Sequence, residues 1–265
     1  MRRFFLIFIS VFFVLVIVIS LIILNKKNTK PVQKNNLDFT HLESLINSNE
    51  LLKAKELAIK LKEKAASLED INQIQNKIEE INIKILFSPI IDNCSILYTV
   101  KEGDSLIKLA KKFNTTVELI KRANHLNSDV IRPKQNLKIN NCKFSILIDK
   151  SQNTLTLKTQ DEIIKTYIVS TGKDNSTPTG NFKIINKLKN PTWFKTGAVI
   201  PPDSPENILG SRWLGFNIKG YGIHGTTEPD NLGKQVTSGC IRMRNSDVEE
   251  LYDIVPEGTE VIIVD

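Results

Sequence analysis

The apolar positions change period several times along the chain. An uncharged run, "FFLIFISVFFVLVIVISLIIL", covers Phe4 to Leu24. As a helix it reaches roughly 31 Å at about 1.5 Å per residue, enough for a bilayer core, and no small-x-small cleavage site precedes Asn25. Residues 1–25 are therefore read as a retained transmembrane signal anchor, followed by a polar linker over 26–37. From 38 to 90 the period becomes helical: Leu51, Ala54, Leu57, Ala58, Leu61 and Ala65 form one stripe, and Ile71, Ile74, Ile78, Ile81 and Ile85 another. A short leading helix and two long ones are predicted, with "NSNE" and "SLED" as starts and Ser67 three residues ahead of Asp70. This α-helical hairpin resembles a single tetratricopeptide-like pair. A spacer, a protein-docking hairpin and a coiled-coil dimer are the readings it admits.

Residues 94–142 follow a strand–helix–helix–strand order. Tyr98 to Lys101 reads as a strand, Gly103 as a turn, and Asp104 or Ser105 as the cap of a helix carrying Leu106, Leu109, Ala110 and Phe113. "NTT" caps a second helix, and a proline turn leads to a second strand. "YTVKEGDSL", "LAKKFN", "LIKRANHLNSD" and "IRPKQNLKI" resemble a LysM module, a βααβ fold whose members bind chains of N-acetylglucosamine, often in peptidoglycan. Cys94 and Cys142 flank it. Antiparallel pairing brings the start of the first strand beside the end of the second, so a disulfide between them is expected. Its chain-entropy contribution is about 3–4 kcal/mol, and it requires an oxidising compartment. Two unpaired buried thiols are the alternative.

From 143 onward alternation of period two dominates, broken by "SQN" and "TQDE" turns, with one late helix opened by Ser246 and Glu249 in capping-box spacing. The whole chain has 265 residues, net charge +7, 41% hydrophobic and 25% charged residues, which is ordinary for globular protein. The positive charge is spread out, so it suits a solvated surface or an anionic envelope and does not indicate nucleic acid. Arg2 and Arg3 precede the apolar span and Lys26, Lys27 and Lys30 follow it, so charge alone does not orient it.

The third cysteine, Cys240 in "VTSGCIRM", stands without a partner once the other two pair. His224 lies upstream at a distance a returning loop can close. A thiol is only partly ionised at neutral pH, and an adjacent imidazole can stabilise the thiolate and shuttle protons. Gly239 allows close backbone approach, so its amide is a candidate oxyanion donor. Arg242 and Arg244 keep the region positive. A buried structural cysteine is the competing reading. Three histidines and three cysteines at these positions make no ligand cluster, so neither a metal nor any cofactor is implied.

"VSTGKDNSTPTGNFKI", "NPTW", "GIHGT", "TSGCIRM" and "NSDVEELYDIVPEGTEVII" resemble the L,D-transpeptidase (YkuD-type) catalytic domain over residues 143–265. The resemblance implies a mainly-β, β-sandwich-like fold and a lid within residues 192–215. It makes Cys240 the nucleophile, His224 its base, and the Gly225 carbonyl the orienting group. Many members carry histidine where this chain has Ser238, a position variable in role, so the change leaves the Cys240 and His224 pair intact and bears on how the acceptor is handled. Arg242 binds a substrate carboxylate or braces the loop. Thr237 bonds within the loop or to substrate. Trp193 and Trp213 line the groove or pack in the core. The implied reaction is acyl transfer on stem peptides: a thioester forms with release of D-alanine and passes to an amine. An L,D-carboxypeptidase and an idle peptidoglycan-binding protein are the alternatives. Both modules require peptidoglycan. The expected chain is thus single-pass in the cytoplasmic membrane with its bulk outside.

Overall fold

The computed structural model describes residues 39–195 and 197–265. The apolar span and the linker that follows it lie outside them. Among the described residues no helix is long and apolar enough to cross a membrane.

Three helices come first: α1 (Thr40–Asn47), α2 (Leu51–Lys64) and α3 (Leu68–Leu86). Ser67 caps α3 by accepting from the Asp70 amide at 3.0 Å. "NSNE" gives no such cap: Asn49 is left-handed, and Glu50 precedes α2 without a side-chain cap. Ala54 and Ala58 lie fully buried on α2, one turn apart, and Ile74, Ile81 and Ile85 fill the facing stripe of α3.

A docking hairpin would leave the side of α3 turned away from α2 for a partner, and the structure takes part of that side. Strand β5 (Ile163–Ile168) ends a sheet, and α3 lies against its edge. Asn82 Nδ2 donates to the Ile163 and Ile164 carbonyls at 3.1 and 3.3 Å. Glu79 Oε2 accepts the Thr166 amide at 3.1 Å. Unpaired strand groups are thus satisfied by helix side chains, which also blunts the edge against pairing with other chains.

The LysM stretch contains β1 (Ser95–Thr99), α4 (Leu106–Phe113), α5 (Val117–Ala123) and β2 (Asn136–Asn140). The strands pair antiparallel from Ser95↔Asn140 to Thr99↔Asn136. The first strand therefore begins three residues before Tyr98, because β2 offers ladder partners that far. Cys94 and Cys142 sit just beyond the paired ends and are bonded, with Cα atoms 4.9 Å apart. Ser105 and Thr116 cap the two helices, while Asp104 instead accepts from the Lys101 amide and the Tyr98 hydroxyl.

This module is fastened to its neighbours. Lys138, fully buried on β2, donates from Nζ to the Ile85 carbonyl at the end of α3 at 2.6 Å. Leu119 of α5 belongs to the core of the following module. Thr116 bonds the Asp253 carbonyl, and Arg122 pairs with the Asp253 carboxylate at 2.9 Å. Residues Thr40–Asp265 form one compact unit.

The C-terminal module is built on β3 (Ser145–Asp149), β4 (Thr154–Lys158), β5, β7 (Gly180–Lys189), β10 (Arg212–Phe216), β11 (Gly222–His224), β13 (Ile241–Arg242) and β14 (Glu260–Val264), with β6 (Thr171–Gly172) and β12 (Gln235–Thr237) pairing beside it. Sheet order is β13-β11-β10-β7-β14-β3-β4-β5. This is one curled sheet where two stacked sheets were expected. Its ends nearly meet: Ser170, just past β5, exchanges two backbone hydrogen bonds with Arg242 of β13, at 2.8 and 2.9 Å. The curl encloses a core in which Ile146, Leu157 and Tyr167 from one end join Ile223 and Ile241 from the other.

The late helix, α6 (Asn245–Ile254), starts one residue before the expected capping box. Arg244 precedes it with no side-chain cap, and Ser246 lies inside it. Tertiary contacts made by Asn245 override the local signal.

Candidate active site

Strands β11 and β13 run parallel with Ile223 opposite Ile241 and His224 opposite Arg242. Extending the register back one residue sets Cys240 beside Gly222. Paired residues share a face, so His224 and Cys240 are diagonal neighbours on it, on the order of 7–8 Å apart at Cα. The fifteen residues between them are taken up by a turn, a 3-10 segment at Pro229–Asn231, and β12.

His224 is buried, with Nδ1 at 2.7 Å from the Gly225 carbonyl oxygen. A carbonyl only accepts, so the proton sits on Nδ1 and Nε2 keeps its lone pair. Its ring stacks on the Trp213 indole, centroids 6.0 Å apart and planes 20° apart, and Trp213 Nε1 is held by Asn186 Oδ1 at 3.0 Å. Burial pushes the imidazole down to about 4; the Arg242 charge adds to this, and the Gly225 and Leu209 carbonyls oppose it. At neutral pH His224 is an uncharged base.

Cys240 is partly exposed, and its Sγ donates to the Gly220 carbonyl at 3.4 Å. Burial pushes this thiol above its ordinary range, against the pull of the Gly222 backbone and the Arg242 charge. The resting pair is therefore thiol and neutral imidazole. A preformed thiolate–imidazolium pair is not what this environment favours.

The depressed imidazole has a stability consequence. The unfolded chain takes up a proton on this histidine near pH 6.5, whereas the folded one resists until about pH 4. His224 thus gives full stability above the unfolded value and loses it as pH falls through the folded one, by up to about 3 kcal/mol. His224→Gln should flatten the fall in unfolding free energy between these pH values in urea titrations. A slope equal to that of the parent would contradict a buried neutral imidazole.

The remaining expected site residues fall differently. Thr237 Oγ1 donates to the Cys240 carbonyl at 2.6 Å and accepts the Gly239 amide at 3.1 Å. Thr237 is thus a loop brace. Gly239 spends on it the N–H expected for an oxyanion. The Gly239 carbonyl accepts from Thr177 Oγ1 at 2.9 Å, which also takes the Gly172 amide at 2.7 Å. Arg242 is buried and bonds Glu228 Oε2 at 3.1 Å, so the loop-bracing reading describes its contacts. Ser238 is exposed at the tip of the same loop.

Trp213, not Trp193, touches the imidazole. Trp193 sits on a hairpin of β8 (Trp193–Lys195) and β9 (Ala198–Ile200), opposite Ile200, with Lys195 Nζ over its ring. The outward pair Phe194 and Val199 is strongly exposed. Buried Asn207 closes the base of this hairpin by donating to the Pro191 and Pro201 carbonyls at 2.9 and 3.1 Å. Of the range 192–215 expected to hold a lid, residues 212–215 form the interior strand β10 instead. Sequence reasoning also missed Thr177 and Glu228. "STPTG" was the signal for the first, and nothing local marked the second.

Comparison with known proteins follows the same division. The LysM domain model matches residues 98–140, and the YkuD L,D-transpeptidase catalytic domain model matches 143–263. YkuD of Bacillus licheniformis, assigned as an L,D-transpeptidase, is 36% identical over 176 residues, which span 63% of this chain and 98% of that protein. YkuD of Bacillus subtilis is 36% identical over 175 residues and 98% of its length. YqjB of Bacillus subtilis, assigned likewise, is 41% identical over 126 residues, 45% of this chain and 70% of that one. The chain belongs to the YkuD family of L,D-transpeptidases and carries a LysM module: it is an acyltransferase acting on the peptides of peptidoglycan.

Proposed function

We propose that this protein cross-links peptidoglycan through a thioester on Cys240, from the outer side of the cytoplasmic membrane. The observation that carries the reading is the placement of Cys240 and His224 on one face of adjacent strands, with the imidazole proton held at Nδ1 by Gly225. In the first half-reaction Sγ attacks the carbonyl of the third stem residue, usually meso-diaminopimelate. The thiol proton passes to His224 Nε2 and then to the departing amine. The S–C bond forms, the C–N bond breaks, and D-alanine leaves. In the second, an acceptor amine gives its proton to His224 and attacks the thioester, forming an amide and restoring the thiol.

A LysM module tied firmly to the catalytic sheet holds glycan near the site and raises local stem-peptide concentration without new active-site contacts. The Cys94–Cys142 bond favours an oxidising compartment. The span from Phe4 to Leu24 supplies the anchor in this reading, with the amino terminus inside.

The test is to incubate full-length protein with a disaccharide tetrapeptide and weigh the products. A cross-linked dimer with free D-alanine is the expected result. Disaccharide tripeptide without dimer would replace this reading with an L,D-carboxypeptidase.

A further inference from the structure

We propose that Asn245 is a positioning residue that sets the tautomer of His224 by clamping the Gly225–Thr226 peptide. Its Oδ1 accepts the Thr226 amide at 3.1 Å and the Ser211 amide at 3.2 Å. Its Nδ2 donates to the Thr226 carbonyl at 2.9 Å. The Thr226 N–H and the Gly225 C=O are the two ends of one peptide unit. That unit is planar and trans, so its N–H and C=O point in opposite directions. Fixing the N–H on Asn245 fixes the C=O on the other side, where it accepts from His224 Nδ1 at 2.7 Å. The Thr226 carbonyl, held by Nδ2, stops the next peptide from turning. Donation by the N–H also polarises its own carbonyl, which strengthens the bond to the imidazole.

The fit is close. A Cβ on Gly225 would lie 2.0 Å from Asn245 Oδ1, and one on Gly210 would lie 2.2 Å from it. The clamp therefore needs glycine at both places. It gathers three segments: Ser211, two residues before the Trp213 that stacks on His224; the turn after His224; and the start of α6, three residues beyond Arg242. Asn245 is the first residue inside α6, one place after the cap position held by Arg244. Here α6 begins without a side-chain cap, and the amide serves the histidine turn instead.

This inference rests on the reading that His224 is the base for Cys240. Its primary readout does not depend on that reading. Full-length protein labelled with ring 15N histidine should show, at neutral pH, a pyrrole-type Nδ1 and a pyridine-type Nε2 for His224. Asn245→Ala should give a mixture of tautomers and slow acylation by a carbapenem about 30–100-fold at saturation. The half-saturating concentration should move less than about threefold. Asn245→Asp keeps an oxygen for the Ser211 and Thr226 amides but sets its other oxygen against the Thr226 carbonyl, so it should keep the parent tautomer, because the Gly225–Thr226 peptide is still held, while acylation recovers only in part. Should the alanine variant not fold, Asn245→Ser, which keeps a hydroxyl at the helix start, carries the same expectation of a mixed tautomer.

An alanine or serine variant with the parent tautomer overturns the proposal, whether acylation is unchanged or slow. A slow variant with an intact tautomer would make Asn245 a structural residue only. If Cys240 were not the nucleophile, the tautomer result would still stand and the carbapenem arm alone would fail.

Discussion

Cys240→Ala is expected to abolish dimer formation and leave binding to isolated sacculi unchanged. The loss should be at least about 10⁴-fold, because no other group on that face can form the acyl intermediate. The side chain is partly exposed and its polar contacts are with the Gly220 carbonyl, at 3.4 Å, and the Gly222 backbone. Its removal should therefore change stability by no more than about 1 kcal/mol. Sacculus binding is assigned to the LysM module, which is fastened through Lys138, Thr116 and Arg122 to Ile85 and Asp253 and makes no bond to the thiol. Product assays and sacculus pull-downs on the same preparation separate the two modules. Residual dimer at more than a few per cent of the parent rate would move the nucleophile elsewhere.

Gly239→Ala should cost both fold and activity. The residue has φ of 123°, which a side chain rarely adopts. A Cβ there would lie 2.6 Å from Tyr221 Cε1 and 3.0 Å from the Ser176 carbonyl. Neither neighbour is the free end of a flexible chain, so the loop must move. Strain and overpacking together amount to about 2–4 kcal/mol. The displaced loop carries Cys240 next in sequence, with Thr177 and Thr237 bonded to its backbone. Acylation should fall about 100-fold or more in protein that remains folded. The midpoint of urea unfolding and the carbapenem acylation rate check the two halves of this prediction. A variant with the parent midpoint would show that the loop has room the structure does not provide.

Local chemistry made much of this legible. Ser67, Ser105 and Thr116 cap helices with their own side chains, over a reach of three residues, so short motifs located the starts. Alternation in "SILID" and "TLTLK" marked β3 and β4, where Ile146, Ile148, Leu155 and Leu157 turn inward. The Cys240 and His224 pair stood out because the chain has few residues of either type. What stayed hidden depended on distant partners. Asn245 is bonded to residues 34 and 19 positions away, which removed the capping box at Ser246. Glu79 and Asn82 look like surface residues of an amphipathic helix until the edge of β5 is placed beside them. A single curled sheet rather than two stacked ones follows from β7, whose first residues pair with β14 and whose last pair with β10, an arrangement no local pattern encodes. The Gly239 amide appeared free for an oxyanion because Thr237 was not known to fold back on it.

The resting site also refines the chemistry. Buried His224, held near pKa 4, and a Cys240 thiol raised above its usual range describe a pair that is neutral until substrate arrives. Acid then acts first on the histidine.

The most direct test is the mass of the protein during turnover. Full-length protein mixed with disaccharide tetrapeptide and quenched in acid should gain the mass of the donor less D-alanine, and peptide mapping should place that adduct on Cys240. Dimer formation with no adduct, or an adduct on any other residue, would contradict the account.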